Sequence, residues 1–277
     1  MTLTTASGLW YSRSPMEEAT LALTPMRLPN GCTVLQVNPP ETSLQYRDIV
    51  VTRAYLQHGL RVERGDTVFD VGANVGISCL FFHWEAPDVR IFAFEPVPHL
   101  FDALRANLDA YGVDAQLFDY GLGREAGRVE MTYYPDVSVM TSMYADPEHD
   151  ADVTRTFLVN SGFDAADVAD LVPGRHAGEP FACELRTASQ VIAEHGVERI
   201  DLLKVNVEKA ERDVLDGIEE RDWPKVRQIT MQVHDLDGRV EAMRGELAGR
   251  GFEVEVDQDP LLRTTDIFDL YARRRRG

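Results

Sequence analysis

From residue 66 onward, short apolar runs alternate with stretches in which apolar residues recur every three or four positions. The runs predict buried strands, and the spaced pattern predicts amphipathic helices. The predicted strands are TVFDVG, VRIFAFEP, DAQLFDYGLG, RIDLLKVNVE and VRQITMQVHD, and the predicted helices are GISCLFFHWEAP, PHLFDALRANLDAYG, SQVIAEHG, AERDVLDGI and RVEAMRGELAGRG. This alternation predicts a doubly wound, mostly parallel α/β sheet, with FEVEVDQ and DIFDLYAR as a closing antiparallel pair.

Two parts of the chain fall outside this pattern. Residues 1–64 are predicted to form an N-terminal cap, with a hairpin at Asn30-Gly31 and a helix over TSLQYRDIVVTRAYLQHG, while residues 65–277 form the sheet domain. Residues 135–180 are polar and acidic and hold several Pro and Gly residues. They predict an insertion with one short helix, after an added strand RVEMTYYP.

The composition restricts the class of partner. The net charge is -18 over 277 residues, which argues against nucleic acid and against anionic membrane surfaces. The basic run ARRRRG is short and terminal, so we interpret it as a solvated tail. Cys32, Cys79 and Cys183 have no metal-site spacing. The N-terminus lacks a long apolar segment, and the cytoplasm is the expected location.

Candidate ligand-binding residues cluster in TVFDVGANVGISC, where the first predicted strand is followed by a helix. Asp70 ends the strand, and Gly72 and Gly76 bracket a tight turn whose backbone can approach a ligand beside the free N–H groups of the helix. In such sheets ligands bind outside the carboxyl ends of the strands. Glu95 ends the next strand, where an acidic side chain can accept both hydroxyls of a ribose.

Two cofactor classes fit this arrangement. A dinucleotide favours G-x-G-x-x-G, but GANVG has Asn74 at its centre, where a pyrophosphate would approach. A cofactor with an amino-acid tail needs less room there, and its ammonium would favour Asp70. We therefore predict S-adenosyl-L-methionine (SAM).

The stretches FDVGANVG, FAFEPVP and LLKVNVEKAERDVLDGI, in this order, resemble the FkbM family of SAM-dependent methyltransferases over residues 66–235. DWPKVRQITMQVHD and VEVDQDPLLRTTDIFDLYARR resemble the branch associated with polyketide and nonribosomal-peptide biosynthesis. The resemblance implies a seven-stranded Rossmann-like class I methyltransferase sheet and O-methylation of a hydroxyl in a natural product. It also implies a cofactor site made of Phe69, Asp70, Gly72, Asn74, Gly76, Glu95, Pro96, Tyr120 and Gly121.

A hydroxyl acceptor must lose its proton, which usually requires a general base. The fifth strand ends at His234, whose ordinary pKa of about 6.5 suits this role, although a histidine that only caps the strand is an equal alternative. Lys204 interrupts an apolar strand and needs a partner, which Glu208 or Asp70 could provide, so a structural ion pair is at least as reasonable as catalysis. Asn206 stands where the family more often has Asp, so it can only orient a ligand. Glu208 opens a helix and can stabilise its dipole, and Glu211 is predicted to lie on a solvated helix face.

Tyr46 and Arg47, together with the insertion, are predicted to cover the acceptor. The acceptor is expected to be a small molecule, and the acidic surface favours a free molecule over one bound to an acidic carrier protein. Asn206, Glu208 and Asp235 have side-chain oxygens that suit Mg²⁺, but nothing in the sequence enforces the geometry of a magnesium site, so no metal is predicted.

An N- or C-methyltransferase, an NAD-dependent oxidoreductase and a non-catalytic SAM-binding module remain alternatives, and the oligomeric state is open.

Overall fold

The computed structural model describes residues 23–275, so the first 22 residues of the predicted cap and the last two of the basic run lie outside the described residues. Most of the strands belong to one seven-stranded sheet. The strands, in chain order, are β1 (Thr24–Arg27), β2 (Thr33–Gln36), β3 (Thr67–Val71), β4 (Arg90–Phe94), β5 (Ala115–Phe118), β6 (Gly121–Leu122), β7 (Gly127–Tyr133), β8 (Glu179–Arg186), β9 (Leu202–Val205), β10 (Gln228–His234), β11 (Phe252–Asp257) and β12 (Ile267–Arg274).

The large sheet has the strand order β11-β12-β10-β9-β3-β4-β5. Strands β10, β9, β3, β4 and β5 run parallel, and β12 pairs antiparallel with both β10 and β11. The predicted doubly wound sheet and its antiparallel closing pair are therefore confirmed. Because β4 lies on one side of β3 and β9 on the other, the chain changes direction at β3. A crevice is expected at this switch point, outside the carboxyl ends of β3 and β9.

Helices cover both faces of the sheet. They are α1 (Pro39–Gln45), α2 (Ile77–Glu85), α3 (Pro98–Tyr111), α4 (Pro147–Asn160), α5 (Ala165–Leu171), α6 (Ala188–Glu194), α7 (Glu211–Asp216) and α8 (Arg239–Gly249). Helix α3 shows how local signals set the bounds: Pro98 occupies its first turn, and Gly112 ends it with a left-handed φ of 62°. None of the helices in residues 23–275 is long and apolar enough to cross a membrane.

The core consists of two main layers, one on each face of the sheet. Side chains alternate along β3, so Val68 packs with Leu80 of α2 and Leu104 of α3, whereas Phe69 packs on the other face with residues such as Val191 of α6. This double burial explains why the parallel strands are nearly continuous apolar runs.

The N-terminal segment agrees with its prediction only in part. The hairpin is confirmed, with Arg27 of β1 opposite Thr33 of β2. The single predicted helix is instead α1, a π-helical segment Tyr46–Val51 and a 3₁₀ turn Ala54–Leu56. Helix α1 begins earlier than predicted because the Asn38 side chain caps it, accepting from the N–H of Glu41.

The segment between β5 and α6 is more ordered than predicted. It contains a second, three-stranded sheet of order β6-β8-β7, as well as the two helices α4 and α5. The added strand β7 is confirmed, whereas β8 lies partly in the predicted insertion 135–180 and was not expected. Its sequence EPFACELR alternates, and Phe181, Cys183 and Leu185 are the buried positions. This period of two is the strand signal that the polar composition of the segment obscured.

Candidate active site

A cavity opens at the carboxyl ends of β3, β4 and β9, as the strand order requires. Its volume is about 980 Å³, which includes solvent at its mouth. It is bounded by the glycine bend after β3, by Glu95 and Pro96 after β4, and by Asn206 and Glu208 after β9. The N-terminal segment contributes Gln45, Ile49 and Tyr55, and the inserted segment contributes Ser138, Val139, Thr141, Ser142 and Met143. These are the two segments that the sequence predicted to cover the acceptor.

The glycines of the bend are required by the fold itself. Gly72 has a φ of +80°, and a Cβ placed there would lie 2.0 Å from the carbonyl oxygen of Asn206. Gly76 has a φ of +92°, and its Cβ would lie 2.8 Å from Leu104 Cδ1 on α3. Asn74 also has a left-handed φ, of 50°. The bend therefore comes close to β9 and α3, and Gly72 lines the cavity.

Gly72→Ala is expected to destabilise the protein by about 1–3 kcal/mol more than Gly65→Ala, because only the former adds a steric clash to the strain. Gly65 has a similar φ of +75°, but no atom lies within 4 Å of its added Cβ. Both variants have the backbone strain of a left-handed residue, about 1–3 kcal/mol. Urea unfolding of the two variants measures the difference, and equal losses would show that the Asn206 carbonyl moves aside.

Glu95 is 4% exposed and lines the cavity beside the bend. Its Oε2 accepts from the backbone N–H of Asn74 at 2.8 Å, and its Oε1 accepts from that of Val97 at 3.0 Å. Burial raises the pKa of Glu95 to about 7, against the lowering effect of these two bonds. Two backbone donors thus fix one carboxylate at the predicted position, with Pro96 next to it in the cavity wall.

The structure does not bring Asp70 to the cavity as predicted. Its carboxylate is fully buried and lies 2.9 Å from Lys204 Nζ, and its second oxygen accepts from Ser78 and Cys79. Lys204, which does line the cavity, also donates to the carbonyl oxygen of Gly72 at 2.7 Å. Burial opposes the charge of Lys204, but Asp70 outweighs it and raises the pKa of the ammonium. The structural ion pair considered for Lys204 is therefore present.

Two further side chains predicted at the cofactor lie elsewhere. Phe69 points into the opposite face of the sheet and stacks on Phe92 at a centroid distance of 4.9 Å. Tyr120 is buried, with the guanidinium of Arg186 4.7 Å from its ring centroid. Gly121, the next residue, does line the cavity. Side-chain alternation along β3 accounts for Phe69, since Val68 and Asp70 share the other face.

The polar residues after β9 and β10 form one group. Asn206 lines the cavity and donates to the hydroxyl of Tyr55 at 3.3 Å. His234 is 1% exposed and lies between two carboxylates, with Nε2 3.1 Å from Glu208 and Nδ1 2.9 Å from Glu211. Burial alone would lower the pKa of His234, but the two carboxylates raise it to about 10. An imidazolium cannot accept a proton, so this arrangement favours the alternative of a histidine held at the end of the strand by its partners.

The predicted acceptor contacts Tyr46 and Arg47 are also displaced. Tyr46 is 8% exposed and packs in the core, while Arg47 is exposed and pairs with Asp48 at 2.8 Å. Their neighbours Gln45 and Ile49 line the cavity instead. The π-helical turn widens the helix at this point and changes which residues face inward.

Two residues of the site, Tyr55 and Glu211, were not predicted from the sequence. Tyr55 lines the cavity, and its ring centroid lies 5.2 Å from Lys204 Nζ. Glu211, predicted to lie on a solvated face, is 1% exposed. Val214 and Leu215 follow Glu211 by one helical turn and therefore share its helix face. Their apolar side chains were the available signal that this face is buried. Within residues 23–275, no group of three or more His, Cys, Asp or Glu side chains is arranged to hold a metal ion.

Comparison with known proteins identifies the family. The model of the methyltransferase FkbM domain matches residues 70–254. The chain is 43% identical over 254 residues to 31-O-demethyl-FK506 methyltransferase FkbM of Streptomyces tacrolimicus, covering 91% of this chain and 97% of that protein. It is 38% identical over 260 residues to AMB antimetabolite synthetase AmbE of Pseudomonas aeruginosa, covering 89% of this chain but 12% of the synthetase.

Among solved structures, precorrin-6y C5,15-methyltransferase of Geobacter metallireducens matches with a TM-score of 0.40 and 13% identity, over 78% of this chain and 84% of that one. The family model covers more than half of the chain, and it spans the bend, Glu95 and the residues after β9. The chain therefore belongs to the FkbM family of methyltransferases, as the three motifs predicted.

Proposed function

We propose that the chain is a SAM-dependent O-methyltransferase that acts on a hydroxyl group of a small-molecule natural product or its intermediate. The observation that carries this proposal is the buried carboxylate of Glu95, which two backbone N–H groups orient at the cavity beside the glycine bend. A carboxylate at the end of the second parallel strand suits the two hydroxyls of a ribose.

The residues present fit SAM. Glu95 would hold the ribose, and the backbone of the bend at Gly72 and Asn74 would face the methionine part. When bound, SAM supplies a methyl group that a nucleophile can displace from sulfur, and the protein supplies alignment and management of charge.

The O-methyl preference and the acceptor class rest on the relatives and the cavity wall. The streptomycete relative is named for methylation at an oxygen, and this chain covers 97% of it. Ile49, Val139 and Met143 give the wall apolar surface, while Thr141 and Ser142 add hydroxyls. Such a wall suits a largely apolar molecule that bears hydroxyl groups. The net charge of -18 favours a free acceptor over one attached to an acidic carrier protein.

Calorimetry and a methyl-transfer assay test this proposal. SAM and its demethylated product are expected to bind the purified chain with a Kd in the micromolar range, and NAD is not. With SAM present, 31-O-demethyl-FK506 and a panel of hydroxylated polyketides are the first acceptors, and amines of similar size are the comparison set. Binding of NAD instead of SAM would indicate an oxidoreductase. Methylation of the amines alone would indicate an N-methyltransferase, and binding of SAM with no transfer to either set would favour a binding module.

A further inference from the structure

Three ionisable side chains form a row that leads from the interior of the protein to the cavity. Glu211, on α7, is 1% exposed, and its Oε1 lies 2.9 Å from His234 Nδ1. His234, at the end of β10, lies with Nε2 3.1 Å from Glu208 Oε2. The side chain of Glu208 is 12% exposed, and Glu208 is the member of the row that lines the cavity.

The inner end of the row is fixed by further contacts. The backbone N–H of Lys209 donates to Glu211 Oε1 at 2.9 Å. Arg239 Nη1 lies 3.5 Å from Glu211 Oε2 and donates to the carbonyl oxygen of Lys209 at 2.7 Å. Lys209 itself has a left-handed φ of 66°, and its ammonium lies 2.6 Å from Asp150. These contacts fix the orientation of Glu211, while burial raises the pKa of its carboxyl group.

The charges along the row follow from these contacts. The charged groups that face His234 are Glu208 and Glu211, and Arg239 faces the far side of Glu211. The two flanking carboxyl groups favour the protonated form of the His234 ring and raise its pKa to about 10, and burial raises the pKa of Glu211 as well. The outer contact, between Nε2 and Glu208, is at ion-pair distance but is not aligned as a hydrogen bond. Catalytic hydrogen bonds are often loose before a substrate binds.

Other polar groups in the cavity wall are poorer bases. Asn206 has no basic oxygen, and Lys204 is an ammonium paired with Asp70. Among the described residues that line the cavity, the carboxylates are Glu95 and Glu208. Glu95 is held by the backbone of the bend, on the side assigned to the ribose, which leaves Glu208 for the acceptor.

We infer that Glu208 is the catalytic residue that removes the proton of the acceptor hydroxyl, and that His234 and Glu211 are positioning residues that hold its carboxylate. This inference rests on the proposed function. The O–H bond of the acceptor breaks, and its proton moves to a carboxylate oxygen of Glu208. The hydroxyl oxygen uses its electron pair to bond the methyl carbon, and the pair of the carbon–sulfur bond remains on sulfur.

With Glu208 as the base, opposite charges are neutralised in the same step within the buried site. The sulfonium loses its positive charge in the same step in which Glu208 loses its negative charge. The proton transfer and the methyl transfer therefore remove one negative and one positive charge from the low-dielectric site together.

The activity test compares Glu208→Gln with Glu198→Gln, an exposed position far from the row in sequence. Glu208→Gln is expected to bind SAM within about 3-fold of the unaltered chain and to lose about 10²-fold or more in kcat for 31-O-demethyl-FK506. Glu208→Asp is expected to recover part of this loss, and Glu198→Gln to lose none. If Glu208→Gln binds SAM and keeps its kcat within about 3-fold, the inference is overturned while the proposed function stands. If the unaltered chain does not bind SAM, the proposed function fails first.

A spectroscopic test needs no acceptor and no activity. In ¹⁵N-histidine NMR spectra of the unaltered chain, assigned with His234→Gln, the ring of His234 is expected to remain protonated at pH 8. In Glu211→Gln and in Glu208→Gln, the ring is expected to lose its proton at a lower pH than in the unaltered chain. A neutral His234 at pH 8 in the unaltered chain would overturn the inference, because the ring would then be the stronger base. The titration tests the charges along the row, and the kcat of Glu208→Gln tests their part in catalysis.

Discussion

Glu95→Ala is expected to weaken the binding of SAM by about 100-fold or more. Glu95 is buried and oriented by two backbone donors, and in the proposed cofactor site it would accept two hydroxyls of the ribose. Each hydrogen bond to a charged group contributes about 1.5–3 kcal/mol, and a loss of about 1.4 kcal/mol reduces affinity tenfold. Two lost bonds therefore amount to at least about 3 kcal/mol, which isothermal titration calorimetry measures directly.

Two controls separate binding from folding in this experiment. Glu198→Ala changes an exposed glutamate and is expected to leave the Kd for SAM unchanged. Glu95→Gln keeps one oxygen for the N–H groups of Asn74 and Val97 while it removes the charge, so its thermal midpoint should stay closer to that of the unaltered chain than the midpoint of Glu95→Ala. A Glu95→Ala protein that is folded and binds SAM within about 5-fold of the unaltered chain would exclude the proposed role of this residue.

Lys204→Met is expected to reduce the free energy of unfolding by about 3–5 kcal/mol, because it leaves the carboxylate of Asp70 buried without its partner charge. The side chains of Lys204 and Asp70 are 2% and 0% exposed, and their charged atoms lie 2.9 Å apart. The double variant Asp70→Asn with Lys204→Met removes both charges and should recover at least half of the loss. Urea unfolding of the unaltered chain, the two single variants and the double variant measures the coupling between the two side chains.

A surface pair provides the comparison. Arg105 and Asp102 lie 2.7 Å apart on α3, but their side chains are 58% and 56% exposed. Arg105→Ala is expected to cost less than about 1 kcal/mol. If Lys204→Met proves no more costly than Arg105→Ala, water or a nearby group compensates Asp70, and the buried pair is not a main support of the bend.

The sequence predicted those parts of the fold that depend on local signals. The parallel strands are apolar runs because both of their faces are buried, and α3 has Pro98 in its first turn and Gly112 at its end. Strands β6 and β8 depend on pairing with each other across more than 60 residues, and their surroundings are polar in composition. Such long-range pairing leaves only a weak trace in a local window of sequence.

The residues of the candidate site also divide into those that local signals predicted and those that depend on long-range contacts. Glu95 was predicted because the end of a parallel strand determines its position. The partner of Asp70 depends on the register of β3 against β9, which joins residues 134 positions apart. The charge of His234 depends on Glu211, and the burial of Glu211 depends on how α7 packs on the sheet. The sequence offered Asp70 only as one of two possible partners of Lys204, and no local pattern contains the contact between His234 and Glu211.

The arrangement of β6 and β8 has a consequence for how this family can be engineered. The inserted segment begins at β6 and ends at β8 of the small sheet, where Gly121 and Leu185 are paired partners on adjacent parallel strands. A segment joined to its host at two neighbouring points can be exchanged as a cassette, since its length and sequence do not change the distance that its ends must span. Because this cassette contributes Ser138, Val139 and Met143 to the cavity wall, transplanting it between relatives should transfer the choice of acceptor while the host retains its own nucleoside pocket.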